Sequence, residues 1–519
     1  MKIAFRVDAS SMIGTGHVVR CLTLADRLSD LGAECSFITR QHVGHMGNNI
    51  RARGFQVKVL ELSAPETETG TAGPHAHSHW LGVTIERDAE QTLQAIDKQV
   101  DWLIVDHYAL DRDWERALRV VTGKIAVIDD LADRPHDCDL LLDQTFFASG
   151  KDRYAELVPE DCLKLFGPRY ALLQKDYRQL RPERPDATPV KSIVVFYGGS
   201  DQSNETARAV RVLSQTPFAD LEVNVVLGAT NRHSASVEEL CAKRPGTTIH
   251  KELKSLAPLL AEADLALGAG GTSSWERCAL GLPAVVTSIA ENQLPLADEL
   301  NKAGLIYYAG DWRTITDEGL RQVLLQAVSD QDKNADMSLR SRELTDAFGA
   351  DRVAEYLVPP SRDHLHLSPA RQDHKKLFFL WANDPSVRQN AFSSDPIEWE
   401  THSAWYDRKL ADPACHVWVL LSRSGLPVGQ LRLEPRACEY LVDFSIDSLF
   451  RGRGYGKLLL EKMLEEKRHL PQVKRITGEV KAGNTASLGA FRKTAAFSET
   501  FDEAREVHRF TVPNHKTAV

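Results

Sequence analysis

The sequence predicts an α/β protein: two doubly wound parallel-sheet domains followed by a smaller α+β domain. Three observations carry that expectation. Residues 3–20 form a short apolar run, a loop of small residues, and a helix start at Gly14-Thr15-Gly16-His17. The same layout returns at residues 193–197, with Gly198-Gly199-Ser200-Asp201 and then Asn204 before a helical stretch. At Val358-Pro359-Pro360-Ser361 the chain meets a proline pair, and the residues beyond it differ in kind, with strands 416–421 and 428–433 joined by a Ser424-Gly425 turn.

Composition sets the bounds. A chain of 519 residues is long enough for about three domains with separate cores. The net charge of −9 argues against a general nucleic-acid binder. No signal peptide and no apolar run of membrane-spanning length are recognised, and the eight cysteines form no C-x-x-C pair. A reduced, cytoplasmic chain without structural zinc or a membrane partner is expected.

The first helix shows Val18, Leu22, Ala25 and Leu28 at helical spacing. Its N-terminus carries unpaired N–H groups and partial positive charge, so the loop before it suits an anion or polar ligand. His17 sits there, and a helix N-terminus favours the neutral ring that takes up a proton. A capping or packing role for His17 is equally compatible with spacing alone, and Val19 occupies the place of the last glycine of a dinucleotide fingerprint. Residues 36–39, 57–60, 102–106 and 125–129 read as strands. Two of them end in aspartate, which makes Asp106-His107-Tyr108 and Asp129-Asp130-Leu131 candidates for ligand contact or for helix caps. The run Pro74-His75-Ala76-His77-Ser78-His79 has metal-like composition, but its alternation beside glycines fits a flexible loop better than a metal site.

In the second α/β unit, further strands lie at 223–227 and 265–268. The latter leads into Gly268-Ala269-Gly270-Gly271-Thr272-Ser273-Ser274-Trp275-Glu276. Amides and hydroxyls of such a turn suit a diphosphate, and a glutamate one helical turn on suits a ribose; a tight turn with a capping-box glutamate is the plainer alternative. Gly281-Leu282-Pro283 and Glu291-Asn292-Gln293 are expected to close the other side of that pocket.

Two such domains are the organisation of B-type glycosyltransferases. Gly14 to Arg20, Trp80-Leu81-Gly82-Val83, Val105-Asp106-His107-Tyr108, the run from Ile128 to Arg134, Gly198-Gly199-Ser200-Asp201 and Gly271 to Glu276 together resemble the UDP-sugar hydrolases of pseudaminic acid biosynthesis over residues 1 to about 350. The resemblance implies removal of UDP from UDP-2,4-diacetamido-2,4,6-trideoxy-β-L-altropyranose, with His17 as the base that activates water and with inversion and C–O cleavage. It also implies substrate or UDP contacts at Gly14, Gly16, Arg20, Asp106, Tyr108, Gly198, Gly199, Ser200, Asn204, Gly270, Gly271, Thr272, Ser273, Glu276, Asn292 and Gln293. UDP leaves readily, so one base suffices where a poorer leaving group needs a carboxylate pair.

Beyond the prolines, a helix through Leu377, Leu380 and Trp381 and strands at 416–421, 428–433 and 440–446 lead into Arg451-Gly452-Arg453-Gly454-Tyr455-Gly456. This R-x-x-G-x-G turn resembles that of the GNAT acetyl-CoA N-acetyltransferases, whose helix N-terminus wraps a pyrophosphate. The resemblance implies coenzyme contacts at Phe450, Arg451, Gly452, Arg453, Gly454, Tyr455, Gly456 and Lys457, and at Asn484 and Ser487 in the second motif. Where many members carry a proton-donating tyrosine, this chain has Phe491; either another group, with Tyr440, Asp443 and Ser445 as the candidates near the acetyl position, or a water donates that proton, or the thiolate leaves unassisted.

The domains are expected at 1–175, 176–358 and 362–515. The two halves make joint sense if the last domain N-acetylates the 4-amino UDP-sugar that the first half then hydrolyses. Two other readings stay open: a UDP-sugar glycosyltransferase that needs an acceptor, and a terminal module that binds coenzyme A or acts on another amine or a protein. No metal is expected.

Overall fold

The computed structural model describes residues 1–62, 75–148, 152–182, 188–228, 230–251, 253–470 and 472–512. The chain forms two compact units, Met1–Val358 and Pro359–Val519.

The first unit holds two all-parallel sheets. Strands β1 (Lys2–Val7), β2 (Glu34–Arg40), β3 (Gln56–Leu60), β4 (Val100–Asp106), β5 (Thr122–Ile128), β6 (Leu140–Asp143) and β7 (Leu163–Phe166) lie in the order β3-β2-β1-β4-β5-β6-β7. Strands β8 (Ser192–Phe196), β9 (Glu222–Leu227), β10 (Thr247–Lys251), β11 (Leu265–Ala269), β12 (Ala284–Ser288) and β13 (Tyr307–Asp311) take the order β10-β9-β8-β11-β12-β13. Both are Rossmann-like: the order reverses between β1 and β4 in one sheet and between β8 and β11 in the other, which opens a crevice at the carboxyl ends of those strands. The central strands are largely buried and apolar, as sheets covered on both faces require, while the edge strands β3, β7 and β10 are only partly buried.

Helix Gly16–Asp30 crosses from β1 to β2 and buries Val18, Leu22, Ala25 and Leu28, the expected stripe. Helix Gly349–Leu357 packs back against it. Asp351 in that returning helix accepts a hydrogen bond from Arg178 at 2.9 Å, and Arg352 donates to the carbonyl of Arg169 at 2.9 Å. Among the described residues no helix is long and apolar enough to cross a membrane.

The second unit carries a mixed sheet of β14 (His366–Pro369), β15 (His416–Leu421), β16 (Pro427–Arg436), β17 (Glu439–Ile446), β18 (Ile476–Lys481), β19 (Ser498–Asp502) and β20 (Val507–Val512), in the order β14-β15-β16-β17-β18-β20-β19. All neighbours are antiparallel except β17 and β18. That parallel pair is joined only at Tyr440–Ile476 and Leu441–Thr477, whereas β16 pairs along the whole of β17. The sheet therefore splays beyond Leu441, and helix Tyr455–Lys467 begins beside the opening. The expected domain end at 515 lies outside the described residues.

Candidate active sites

The switch point of the first sheet gathers the residues singled out around His17. Val7 of β1 pairs with Asp106 at the end of β4. One helical turn places His17 and Arg20 on the same face, above that aspartate. His17 Nδ1 lies 2.6 Å from Asp106 Oδ1, and Arg20 grips both carboxylate oxygens, Nε to Oδ2 and Nη2 to Oδ1, each at 2.6 Å. The Cys21 thiol adds a contact to Oδ2 at 3.4 Å. Burial pushes the Asp106 carboxyl up, but Arg20 and His17 outweigh it and hold it well below the usual carboxylate range. A carboxylate at Nδ1 fixes the tautomer in which Nδ1–H donates, which leaves Nε2 as the ring's proton acceptor.

Three of the expected contact residues have partners within the protein. Asp106 is 1% exposed with both oxygens occupied, which places it to orient His17. Arg20 is buried and tied to Asp106, with Asp130 at 3.4 Å. Tyr108 is also buried, with its hydroxyl on Asp130 and its ring edge-on to His17 at 4.7 Å. The nearest charged neighbour of His17 is thus Asp106, not the helix terminus alone. Asp129, the other strand-end candidate, accepts from the Tyr154 hydroxyl at 2.8 Å and pairs with Arg134 at 2.8 Å, a structural role.

Beneath this site lies a buried charge mesh that the sequence reading missed. Arg6 pairs with Asp8 and Asp88, each at 2.6 Å, and Arg40 pairs with Asp88 at 2.6 Å; all four side chains are fully buried. Trp114 donates to Asp88 at 3.0 Å. The only sequence signal was arginine within the apolar strands β1 and β2.

The histidine run is not a loose loop. Pro74 lies outside the described residues, but 75–82 pack over the site. His75 meets Asp111 at 2.8 Å, and Ser78–Leu81 form one turn of 3₁₀ helix. Trp80 stacks on Tyr108 with ring centres 5.4 Å apart, and His77 stands against both, at 4.6 Å from Trp80 and 5.4 Å from Tyr108. Among the described residues no cluster of three or more His, Cys, Asp or Glu could hold a metal ion.

The glycine turns of the second sheet stand opposite the first helix start. A Cβ on Gly199 would lie 3.0 Å from Thr15 Oγ1, and one on Gly16 would lie 3.7 Å from Thr272 Oγ1. Gly198 adopts φ +90°, a conformation a side chain would strain. Ser200 lies in this turn, where Asp201 caps helix Glu205–Leu213 by accepting from the amides of Glu205 and Thr206, both at 2.9 Å. Asn204 starts that helix in the left-handed region. Gly270, Gly271, Thr272 and Ser273 form the second turn, which Gln293 flanks within 3.7 Å of the first two positions. Asn292 is exposed next to it.

Two of the expected pocket residues have partners within the fold. Glu276 is partly buried and meets the Tyr177 hydroxyl, and burial pushes its carboxyl up. Gly281 ends the helix at the side away from the turn, against Arg342 and Ser338, so 281–283 do not wall the pocket. Arg277, which sequence reasoning passed over, braces the turn through Ala269 O at 2.9 Å and Ser274 Oγ at 3.1 Å.

In the second unit, Gly452 and Gly454 take φ +77° and +78° and lead into helix Tyr455–Lys467. Arg451 donates to the carbonyl of Ile446 at 3.0 Å and pairs with Asp384 at 2.9 Å, which ties the turn to the end of β17. Arg453 lies over the Phe450 ring, and Lys457 pairs with Glu461 at 3.2 Å. Phe450 and Tyr455 are buried, so only their backbone can meet a coenzyme. Asn484 accepts from the Ser487 amide at 3.1 Å and caps helix Thr485–Arg492. Phe491 is a core residue: its ring stacks on Phe510 at 4.6 Å and presses on Gly478, where a Cβ would come within 2.3 Å of Phe491 Cζ. Asp443 accepts from Gln430 at 3.0 Å, and Tyr440 stands where β17 and β18 still pair. Glycines in the left-handed region, a helix N-terminus and splayed strands stand together here, an arrangement suited to an anionic group such as a pyrophosphate.

The class this defines is a tandem protein: a pair of Rossmann-like sheets followed by an acetyltransferase-type sheet. Residues 364–495 match the family model described as an acetyltransferase (GNAT) domain. The chain is similar to the UDP-2,4-diacetamido-2,4,6-trideoxy-β-L-altropyranose hydrolase of Campylobacter jejuni, 25% identical over 265 residues that cover 51% of this chain and 83% of that protein. An uncharacterized protein of Methanocaldococcus jannaschii is 22% identical over 422 residues, 78% of each chain. That share exceeds residues 1–358, so this likeness reaches into the second unit. A crystal structure of Acinetobacter baumannii MurG aligns at 15% identity and a TM-score of 0.47, covering 69% of this chain and 99% of that one. The chain thus has a nucleotide-sugar hydrolase among its relatives and an acetyltransferase domain at its C-terminal end.

Proposed function

We propose that the chain is a bifunctional nucleotide-sugar enzyme. Its first unit hydrolyses UDP-2,4-diacetamido-2,4,6-trideoxy-β-L-altropyranose to the free sugar and UDP, and its second acetylates the 4-amino precursor from acetyl-CoA. Residues 1–175 supply the base, 176–358 hold UDP, and 362–515 form the acetyltransferase. The observation that carries the reading is the Asp106–His17 contact of 2.6 Å at the switch point, facing the glycine turns of the second sheet.

In this reading His17 Nε2 takes a proton from water, whose oxygen attacks the anomeric carbon on the face opposite the nucleotide. The anomeric C–O bond breaks, and UDP leaves with the electron pair. Amides of the turns at 198–201 and 270–273 stabilise the diphosphate, and Asp106 stabilises the imidazolium that forms. Inversion is the expected outcome. In the second unit the turn 451–456 and Asn484 hold acetyl-CoA, which supplies a thioester-activated acetyl group when bound. The buried Phe491 leaves no protein hydroxyl for the thiolate at that position.

The test tracks thiol release and UDP release from the 4-amino UDP-sugar in one tube, with and without acetyl-CoA. The expected result is UDP only after coenzyme A appears. UDP release that requires an added acceptor would make the first unit a glycosyltransferase, and thiol release with a peptide but no sugar would make the second a protein acylase.

A further inference from the structure

The segment 75–82 gives the first site a part to which neither the base assignment nor the UDP contacts give a role. Four rings stand together there: His17, Tyr108, Trp80 and His77. Two of their polar atoms are accounted for: His17 Nδ1 by Asp106 and Arg20, and the Tyr108 hydroxyl by Asp130. His77 differs, because its Nδ1 is buried without a hydrogen-bond partner among the described residues. Burial also pushes its ring toward the neutral form, which keeps one nitrogen as donor and the other as acceptor. A buried polar atom left unmade costs about 1–3 kcal/mol, so such an atom beside a reaction centre is best explained by a ligand that completes it.

Resting on the hydrolase reading above, we propose that His77 is a substrate-contacting residue that reads the sugar. Its Nδ1 hydrogen-bonds a polar substituent of the pyranose, while the Trp80 ring, backed by Tyr108, offers aromatic carbon to the apolar face of a deoxy, N-acetylated sugar. The ligand class is an N-acylated deoxy amino sugar on a nucleoside diphosphate. UDP itself lies on the second sheet's turns and gains nothing from His77. The contact acts as a specificity element: a site built around a hydrogen bond rejects an analogue that cannot make it, because its own buried atom is then left unpaired.

The test uses the full-length chain and compares three proteins, the parent, His77→Phe and His77→Gln, in calorimetric titrations with UDP and with the UDP-diacetamido-trideoxy sugar. Each is also made with His17→Asn, so that the conjugate stays intact. Phenylalanine keeps the ring packing on Trp80 and Tyr108 but removes both nitrogens; glutamine restores a polar group. The expected result is about tenfold weaker binding of the sugar conjugate by His77→Phe, unchanged UDP affinity, and partial recovery in His77→Gln. Equal weakening toward UDP and conjugate, or no weakening of either, would overturn the proposal and leave His77 as packing. A parent chain that binds UDP but not the conjugate would instead remove the hydrolase reading itself. The three outcomes are separate.

Discussion

The two units place a strand, a glycine turn and a helix start at their sites, yet they surround them with opposite materials. In the first unit the turn stands on charge: His17 on Asp106, Asp106 on Arg20, and the Arg6–Asp8–Asp88–Arg40 mesh below. In the second, carbon and open backbone take that place: Phe444, Phe491, Phe497 and Phe510 pack together, and β17 parts from β18. The difference matches the chemistry proposed for each site. Taking a proton from water needs a base whose tautomer is held by a buried anion. Delivering an activated acyl group needs chiefly a cradle that aligns two substrates.

The comparison breaks most sharply at the base. His17→Asn is expected to slow UDP release about 10⁴-fold and Asp106→Asn about 10³-fold, with both leaving thiol release from acetyl-CoA unchanged. Near-normal hydrolysis in either would show that the charged floor is scaffolding only; a double variant no slower than His17→Asn would show that the pair acts as one unit. Next in size is the opposite lesion. Gly454→Val places a branched residue at φ +78° with its Cβ 2.8 Å from Arg362, so acetyl transfer should fall about tenfold through KM for acetyl-CoA, with UDP release untouched.

A smaller effect probes the aromatic core. Phe491→Tyr has no room for its hydroxyl against Gly478, so it should destabilise the second unit by about 1–3 kcal/mol and bring no gain in turnover. Faster acetyl transfer would mean that the ring can turn toward the thiolate. The smallest is a slope with pH. His402 is 2% exposed with both ring nitrogens unpaired among the described residues, and burial pushes it down from 6.5 to about 4. The unfolded chain then binds more protons than the folded one between those values. Stability is full above about 6.5 and declines as pH falls toward 4. Denaturant midpoints measured across that range should show the slope, and His402→Phe should flatten it.

Much of the architecture was legible because it is local. Glycine turns, apolar strand runs and the R-x-x-G-x-G turn are patterns within a few residues, and each opens a helix where expected. Strand β10, Thr-Thr-Ile-His-Lys, was missed because an edge strand need not be apolar, and β6 because four residues make too short a run. The site was legible in membership but not in wiring. Asp106 stood out at a strand end, but Arg20, which occupies it, is 86 residues away, and no spacing rule links such a pair. The same holds for Glu276 and Tyr177. Polar side chains were expected to face ligands, and the fold used several of them to satisfy each other first.

The mesh of Arg6, Asp8, Arg40 and Asp88 also bears on how this protein is inherited. Each of the four charges is buried against another, so replacing one alone strands its partner at a cost of about 3–5 kcal/mol, a large part of a domain's stability. Intermediates with a single change are therefore disfavoured. Among descendants of this chain the four positions should be kept or exchanged as a set, while Trp80 and His77, outside the mesh, are free to drift one at a time. New sugar preferences would then arise in the covering segment long before the floor beneath it changes.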